Sequence, residues 1–198
     1  MPGSCAGESV ATKEHILVER AIAGDADAFG ELYMRHLDAI YRYVYFRIGN
    51  AQEAEDLTEQ AFLKAWQYLP EYEQRGYPFT SWLYRIAHNV VADYHRKWGQ
   101  RSNPLPLEDW AEDRHQPTAM EQVISAEEAA DLSAAIVQLS DDQQQVIVLR
   151  FIEGMSYARV ADILGKSQGA CRVLQHRALN ALNELLTDRV GPLEVQSV

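Results

Sequence analysis

Apolar residues recur along this chain at steps of three and four, the spacing that lines one face of an α-helix, and nowhere with the sustained alternation of a half-buried strand. Ala28, Leu32, Tyr33, Leu37, Ile40, Tyr41 and Val44 form a first stripe, which Gly49-Asn50 stops. A second runs through Ala54, Leu57, Ala61, Ala65 and Leu69 and ends at Pro70. The third starts near Thr80 and carries Leu83, Ile86, Ala87, Val90, Val91 and Tyr94, so this half is read as helical with an aromatic-rich core. Further on, Ala126 to Leu139 is one amphipathic helix and Asp141 to Glu153 another. Ser140 and Gln143 are spaced as a capping box, Asp141 and Asp142 suit a positive helix start, and Gly154 suits a left-handed exit. The predicted class is all-α.

Between Gln100 and Ser125 the pattern breaks. Pro104, Pro106 and Pro117 interrupt it, and Glu108, Asp109, Glu112, Asp113 and Glu121 make it acidic. This reads as a linker joining two small helical domains. The expected organisation is an N-terminal segment over 1–24, with Cys5 in a mobile tail, then a helical bundle over 25–99. The linker follows over 100–125, then a second helical unit over 126–188 and a frayed tail over 189–198.

The second unit carries the clearest chemical signal. Ser156 can cap a short helix holding Val160, Ala161, Ile163 and Leu164, Gly165 allows a sharp turn, and Ser167 can cap the next helix. There Ala170, Leu174, Ala178, Ala181 and Leu185 are read as the inward stripe, leaving Gln168, Arg172, Gln175 and His176 on the opposite face. That is the pattern of a DNA-binding helix-turn-helix from Ser156 to Leu182. In a major groove Arg pairs bidentately with guanine and Gln with adenine. The bland alternative is a helical hairpin whose polar face is merely solvated.

The formal charge of −11 over 198 residues argues at first against a polyanionic partner. Its distribution changes that picture. Arg159, Lys166, Arg172 and Arg177 stand against Asp162 in one island, while Arg85, Arg96, Lys97 and Arg101 surround Asp93 in the other. Two basic islands in an acidic background predict weak DNA binding alone and strong binding when something else holds the protein there. With 47% hydrophobic residues the composition is that of a soluble globular protein. No apolar run approaches the roughly 20 residues of a membrane span. Met1 to Gly7 lacks the order of a secretory signal, so a cytoplasmic location is expected. The two cysteines, Cys5 and Cys171, and six scattered histidines have no metal-ligand spacing, so neither metal nor cofactor is expected. Cys171, beside the recognition face, is either a small packing residue or an oxidation sensor.

As a whole the sequence resembles the bacterial sigma-70 family, specifically its compact extracytoplasmic-function (ECF) group, from about Ala26 to Leu186. AFGELYMRHLDAIYRYVYFRIGN, AEDLTEQAFLKAW and PFTSWLYRIAHNVVADYHRK resemble region 2, and LSDDQQQVIVLRFIEGMSYARVADILGKSQGACRVLQHRAL resembles region 4. The resemblance implies a sigma factor that binds core RNA polymerase, melts the minus-ten promoter element and reads the minus-thirty-five element. Polymerase would then supply most of the DNA affinity, which accounts for the acidic balance. The helix from Ala54 to Leu69 would dock on the clamp helices of the largest catalytic subunit through Asp56, Glu59, Gln60, Leu63 and Trp66, with core packing the alternative role for Leu63 and Trp66. Many relatives carry Gln then Glu where this chain has Glu59-Gln60.

By the same resemblance, the loop from Glu71 to Phe79 and the helix from Ser81 to Lys97 would hold the minus-ten element as single strand. Tyr72, Tyr77 and Trp82 would serve as stacking platforms, His88 and Asn89 as polar edges, and Arg85, Arg96 and Lys97 as backbone cations. The alternative role for Trp82 is core packing, and for Arg96 and Lys97 a solvated helix end. The minus-thirty-five duplex would be read through Arg159, Ser167, Gln168, Arg172, Gln175, His176 and Arg177. Arg159 stands where many relatives carry Glu, and is free to meet a phosphate. ECF members are commonly held inactive by an anti-sigma factor, so one is expected as a partner. Two rival classes are a conventional helix-turn-helix regulator with an N-terminal sensor, which leaves the upstream aromatic, basic helix unexplained, and an interaction module, which leaves both basic islands without a purpose. An enzyme is not expected, because no phosphate loop, nucleophile elbow or metal cluster is present.

Overall fold

The computed structural model describes residues 5–73, 78–98 and 126–190, and among them every regular element is helical. Tyr77, the linker over 100–125 and the tail from 191 lie outside the described residues. The first helix, α1 (Cys5–Ile22), lies in the N-terminal segment, where the apolar stripes predict no element. Leu17, Val18 and Ala21 bury it against the helix that follows. That helix, α2 (Ala26–Ile48), begins where the Asp25 carboxylate accepts from the Asp27 and Ala28 amides, and stops where Gly49 turns left-handed at φ 74°. α3 (Ala51–Tyr68) is capped by Asn50, whose side chain accepts from the Glu53 amide, and Pro70 closes it in a short 3₁₀ turn. α4 (Phe79–Trp98) completes the first bundle.

The predicted apolar stripes are what these helices bury. Leu32, Ile40, Val44, Ala54, Leu57, Ala61, Ala65, Leu83, Ala87, Val90 and Val91 are all in the core, each large aliphatic contributing about 1.5 to 3 kcal/mol. Aromatics fill the rest: Tyr43 meets Tyr84 edge-on at 5.2 Å and Tyr33 meets Phe62 at 4.7 Å.

In the second bundle, α5 (Ala126–Ile136) ends three residues short of the predicted Leu139. Buried Gln144 donates to the carbonyls of Val137 and Leu139, each at 3.0 Å, and so seats the exit. α6 (Asp141–Ile147) starts at Ser140, whose amide donates to Gln143 Oε1 at 3.1 Å. The predicted helix to Glu153 widens after Ile147 into a π turn over Val148–Ile152, closed by the Glu153 amide on the Val148 carbonyl. α7 (Tyr157–Leu164) and α8 (Gln168–Val190) follow, joined by a turn at Gly165 with φ 63°.

The two bundles share one apolar core, with α2 against α5 and the π turn, and α4 against α7. At Gly49 an added Cβ would sit 3.3 Å from Val137 Cγ2, so glycine serves both the left-handed turn and the close approach of the second bundle.

Candidate nucleic-acid and polymerase interface

On α3, Asp56, Glu59, Gln60 and Leu63 follow at helical steps and are exposed, together with Trp66. Leu63 is 61% exposed and Trp66 37%, so the core-packing alternative fails for Leu63 and holds in part for Trp66, whose ring lies 4.8 Å from that of Phe29. Tyr68, 52% exposed at the end of the same helix, lies off this stripe, two residues from Trp66 and five from Leu63.

On α4, Trp82, Arg85, Asn89 and Arg96 fall on one stripe. Trp82 is half-buried and packs at a tilt against Tyr72 at 4.8 Å and Phe79 at 5.4 Å, so two of the three expected stacking platforms, Tyr72 and Trp82, already contact protein rings, while Tyr77 lies outside the described residues. Arg85 donates to the backbone carbonyl of Asp162 at 2.7 Å and to its carboxylate at 2.8 Å, reaching across to α7. Asn89 and Lys97 are exposed, and Arg96 pairs with Asp93 one turn back at 2.5 Å. His88 turns away from this stripe: Arg47 lies 3.1 Å from its Nδ1, and because a guanidinium only donates, that nitrogen accepts. Burial, then the Arg47 charge, push the His88 pKa below its ordinary value.

Arg47 itself has no exposed surface. It donates to the Tyr43 hydroxyl at 2.7 Å and to the Asp141 carboxylate at the start of α6. Beside it Glu153, 5% exposed, accepts from both arms of Arg42, at 3.1 and 3.3 Å, and from the Tyr84 hydroxyl at 2.9 Å. None of Arg42, Arg47, Tyr84, Asp141, Glu153 and Asp162 was singled out as a partner from the sequence. The available signal was a pair of arginines inside the otherwise apolar run YRYVYFRI. Charges there need acids, and the acids lie about a hundred residues away.

A cavity of about 340 Å3 opens along this seam, lined among others by His36, Thr80, Tyr84, Glu153, Ser156 and Arg159. Arg159 therefore stands apart from the recognition helix. His36, by hydrogen bonding, lowers the Glu14 pKa against the opposing effect of burial, and Arg159 adds to the lowering.

On α8, Ser167 accepts from the Ala170 amide at 3.1 Å and so caps the helix. Gln168, Arg172, His176 and Arg177 are exposed. Of the predicted inward stripe, Ala178 is buried and Leu174, Ala181 and Leu185 pack against the core, whereas Ala170 is exposed and Cys171 and Leu182 are buried in addition. Being three residues from Ala178 and four from Cys171, Gln175 is half-buried on the inward side of Arg172, its neighbour one turn back. Its Oε1 accepts from the Tyr157 hydroxyl at 2.9 Å and from Arg150 Nε at 3.4 Å. Burial raises the Cys171 thiol above its ordinary pKa, which disfavours the reactive thiolate and fits packing rather than sensing.

Two helical units, the second ending in a helix–glycine turn–helix with cations on its outer face, define a two-part nucleic-acid-binding protein. Two family models match accordingly: sigma-70 region 2 over residues 32–101 and sigma-70 region 4 over residues 135–184. The chain is 38% identical over 183 residues to the ECF RNA polymerase sigma factor BldN of Streptomyces coelicolor, covering 92% of this chain and 69% of that one. It is 33% identical over 173 residues to the ECF RNA polymerase sigma factor SigD of Mycobacterium tuberculosis, covering 85% and 81%. Among solved structures it is similar to CnrH in complex with the cytosolic domain of CnrY, with a TM-score of 0.67 and 27% identity over 88% of this chain and 97% of that one. It is also similar to the Bartonella quintana sigma factor RpoE in complex with the anti-sigma factor NepR, with a TM-score of 0.61 and 28% identity over 80% and 96%. The chain belongs to the ECF RNA polymerase sigma factors, the DNA-binding subunits that direct transcription initiation. No helix among the described residues is long and apolar enough to cross a membrane.

Proposed function

We propose that promoter selection is divided among three faces. The α3 stripe of Asp56, Glu59, Gln60, Leu63 and Trp66 docks on core RNA polymerase. The α4 stripe of Trp82, Arg85, Asn89, Arg96 and Lys97, with Tyr72 and Tyr77, holds the minus-ten strand, and His88 backs it. The exposed residues of α8 read the minus-thirty-five duplex. Residues 25–99 and 126–188 are the units that make these grips, joined by 100–125. The protein acts in the cytoplasm as an initiation factor and not as an enzyme, and an acidic chain of this kind is a reasonable target for an anti-sigma factor like those bound to its structural relatives.

The observation that carries this reading is the outward set Gln168, Arg172, His176 and Arg177, exposed on one helix whose start is capped and whose inner face is buried. Arg172 and Arg177 supply phosphate or guanine contacts, and the polar neighbours supply edges. On α4 the strand's phosphates must displace the Asp162 carboxylate from Arg85, an exchange of one anion for another. Run-off transcription with purified core RNA polymerase and a promoter library tests it: initiation from a defined pair of elements is expected. Absence of specific initiation, with duplex DNA nevertheless shifted by the protein alone, would favour a conventional regulator.

A further inference from the structure

Tyr157, the first residue of α7, sits between two arginines. The Arg150 guanidinium lies 4.2 Å from its ring centroid and that of Arg172 lies 4.8 Å from it. Both distances are inside the range of a cation–π contact. The ring is fixed from below, because its hydroxyl is 2.9 Å from Gln175 Oε1. Gln175 is fixed in turn by Arg150, which donates to the same oxygen at 3.4 Å and to the Met155 carbonyl. An arginine can only donate, so the amide oxygen of Gln175 faces Arg150 and Tyr157, which leaves the tyrosine hydroxyl as the donor in its own bond. The result is a chain of contacts from the π turn, through Gln175 and Tyr157, to the exposed side chain of Arg172.

We propose that Tyr157 is a positioning residue for promoter reading: its ring, locked by Gln175 and Arg150, holds the Arg172 guanidinium in the orientation that reads one base pair of the upstream element. The proposal rests on the reading of α8 as the duplex-binding helix. A long exposed arginine has several rotatable bonds, and a bidentate contact to guanine requires its fork to lie in one plane at one place. Stacking a guanidinium on an aromatic ring occupies its face and leaves its N–H edges outward, so part of the ordering cost of the complex is met before DNA arrives. Gln175 then acts without touching DNA, which gives its half-buried place on the inward stripe a purpose. It also explains why an amide capable of pairing with adenine is turned inward.

The test uses the full chain assembled with core RNA polymerase, on promoters in which each base pair of the upstream element is changed singly. Arg172→Ala is expected to lose about tenfold in discrimination at one position. Tyr157→Leu is expected to lose most of the same discrimination at the same position, and the Tyr157→Leu/Arg172→Ala double variant no more than Arg172→Ala alone. Tyr157→Phe keeps the ring over Arg172 but loses the hydroxyl bond to Gln175, and is expected to lose part of the discrimination at that position, less than Tyr157→Leu does. A uniform loss on all sequences in Tyr157→Leu, or additive losses in the double variant, overturns the positioning role while leaving the Arg172 contact intact. If Arg172→Ala flattens no position, it is the base reading by Arg172 that fails, and the proposal with it.

Discussion

The two helices assigned to promoter DNA, α4 and α8, stand in opposite conditions. On α4 the central cation, Arg85, already holds Asp162 of α7, and His88 is turned into the seam against Arg47. On α8 the cations Arg172 and Arg177 are exposed and point away from the inner stripe. One helix serves as an internal interface and the other is ready for a ligand. The difference gives the acidic balance a second meaning. Asp141, Glu153 and Asp162 are not scattered surface charge: each seats an arginine of the first bundle, Arg47, Arg42 and Arg85 in that order. One of these three acids, Asp162 on Arg85, lies on the α4 face proposed to hold the minus-ten strand.

The sharpest way to break the comparison is to remove one of those acids. Asp141→Ala leaves Arg47, which has no exposed surface, with only neutral partners in Tyr43 and His88. A buried charge stripped of its counter-ion costs about 3 kcal/mol or more, read as a lower urea midpoint at unchanged slope. Asp142→Ala, one residue on, is the control: its pair with Lys166 is 3.0 Å long but half in water, and about 0 to 1 kcal/mol is expected. Equal losses from the two would mean that the seam is no more than surface electrostatics.

A smaller effect on stability, and a more informative one on function, is expected from Asp162→Ala. The pair with Arg85 is partly exposed, so folding should lose about 0 to 1 kcal/mol. With that carboxylate gone, a phosphate meets less competition for Arg85, which still donates to the backbone carbonyl of residue 162. Binding of a single-stranded minus-ten oligonucleotide, followed by fluorescence anisotropy, should tighten, and its salt dependence should steepen by about 0.7 in log–log slope, the share of one added contact. An unchanged slope would show that Arg85 is not withheld from DNA by α7.

Much of the fold was legible because periodicity writes itself locally. The stripes through Leu32 and Ile40, Leu57 and Ala61, and Leu83 and Val90 all became core, and Gly49, Pro70, Ser140 and Ser167 ended or began helices where their chemistry demands. What was missed is non-local or depends on one turn's phase. The pairs Arg42–Glu153 and Arg47–Asp141 span 111 and 94 residues, and no short-range pattern joins such partners. Only the first position of the α8 inner face was misplaced, because Ala170 and Cys171 are both small enough to be buried and apolarity alone does not choose between adjacent positions. Gln175 was placed outside for being polar, although its oxygen has two donors waiting inside. For the site, the exposed cations of α8 and the α3 stripe were visible in the sequence. That Arg85 and His88 have protein partners was not.

The finest test of the seam is its response to acid. His88 and His95 both have pKa values pushed below the ordinary 6.5, burial first and the Arg47 charge second, with Asp141 pulling the other way for both and Asp142 as well for His88. A base whose pKa is lowered by folding binds its proton more readily in the unfolded chain. Stability is therefore constant above the ordinary histidine value and declines as pH falls below it, until the folded protein is protonated too. Glu14 has the opposite chemistry: its carboxyl is held below the ordinary 4.5 by His36, so its contribution is lost only in more acidic solution. Urea midpoints measured between roughly pH 5 and 7.5 thus isolate the histidines. A shallow fall toward pH 5 is expected, part of which disappears in His88→Gln, a change that retains an acceptor for Arg47. A midpoint that rises toward pH 5 would mean that Asp141 and Asp142 outweigh burial and Arg47. His88 would then be charged within the seam, binding the two bundles together where the present geometry has it as a neutral acceptor.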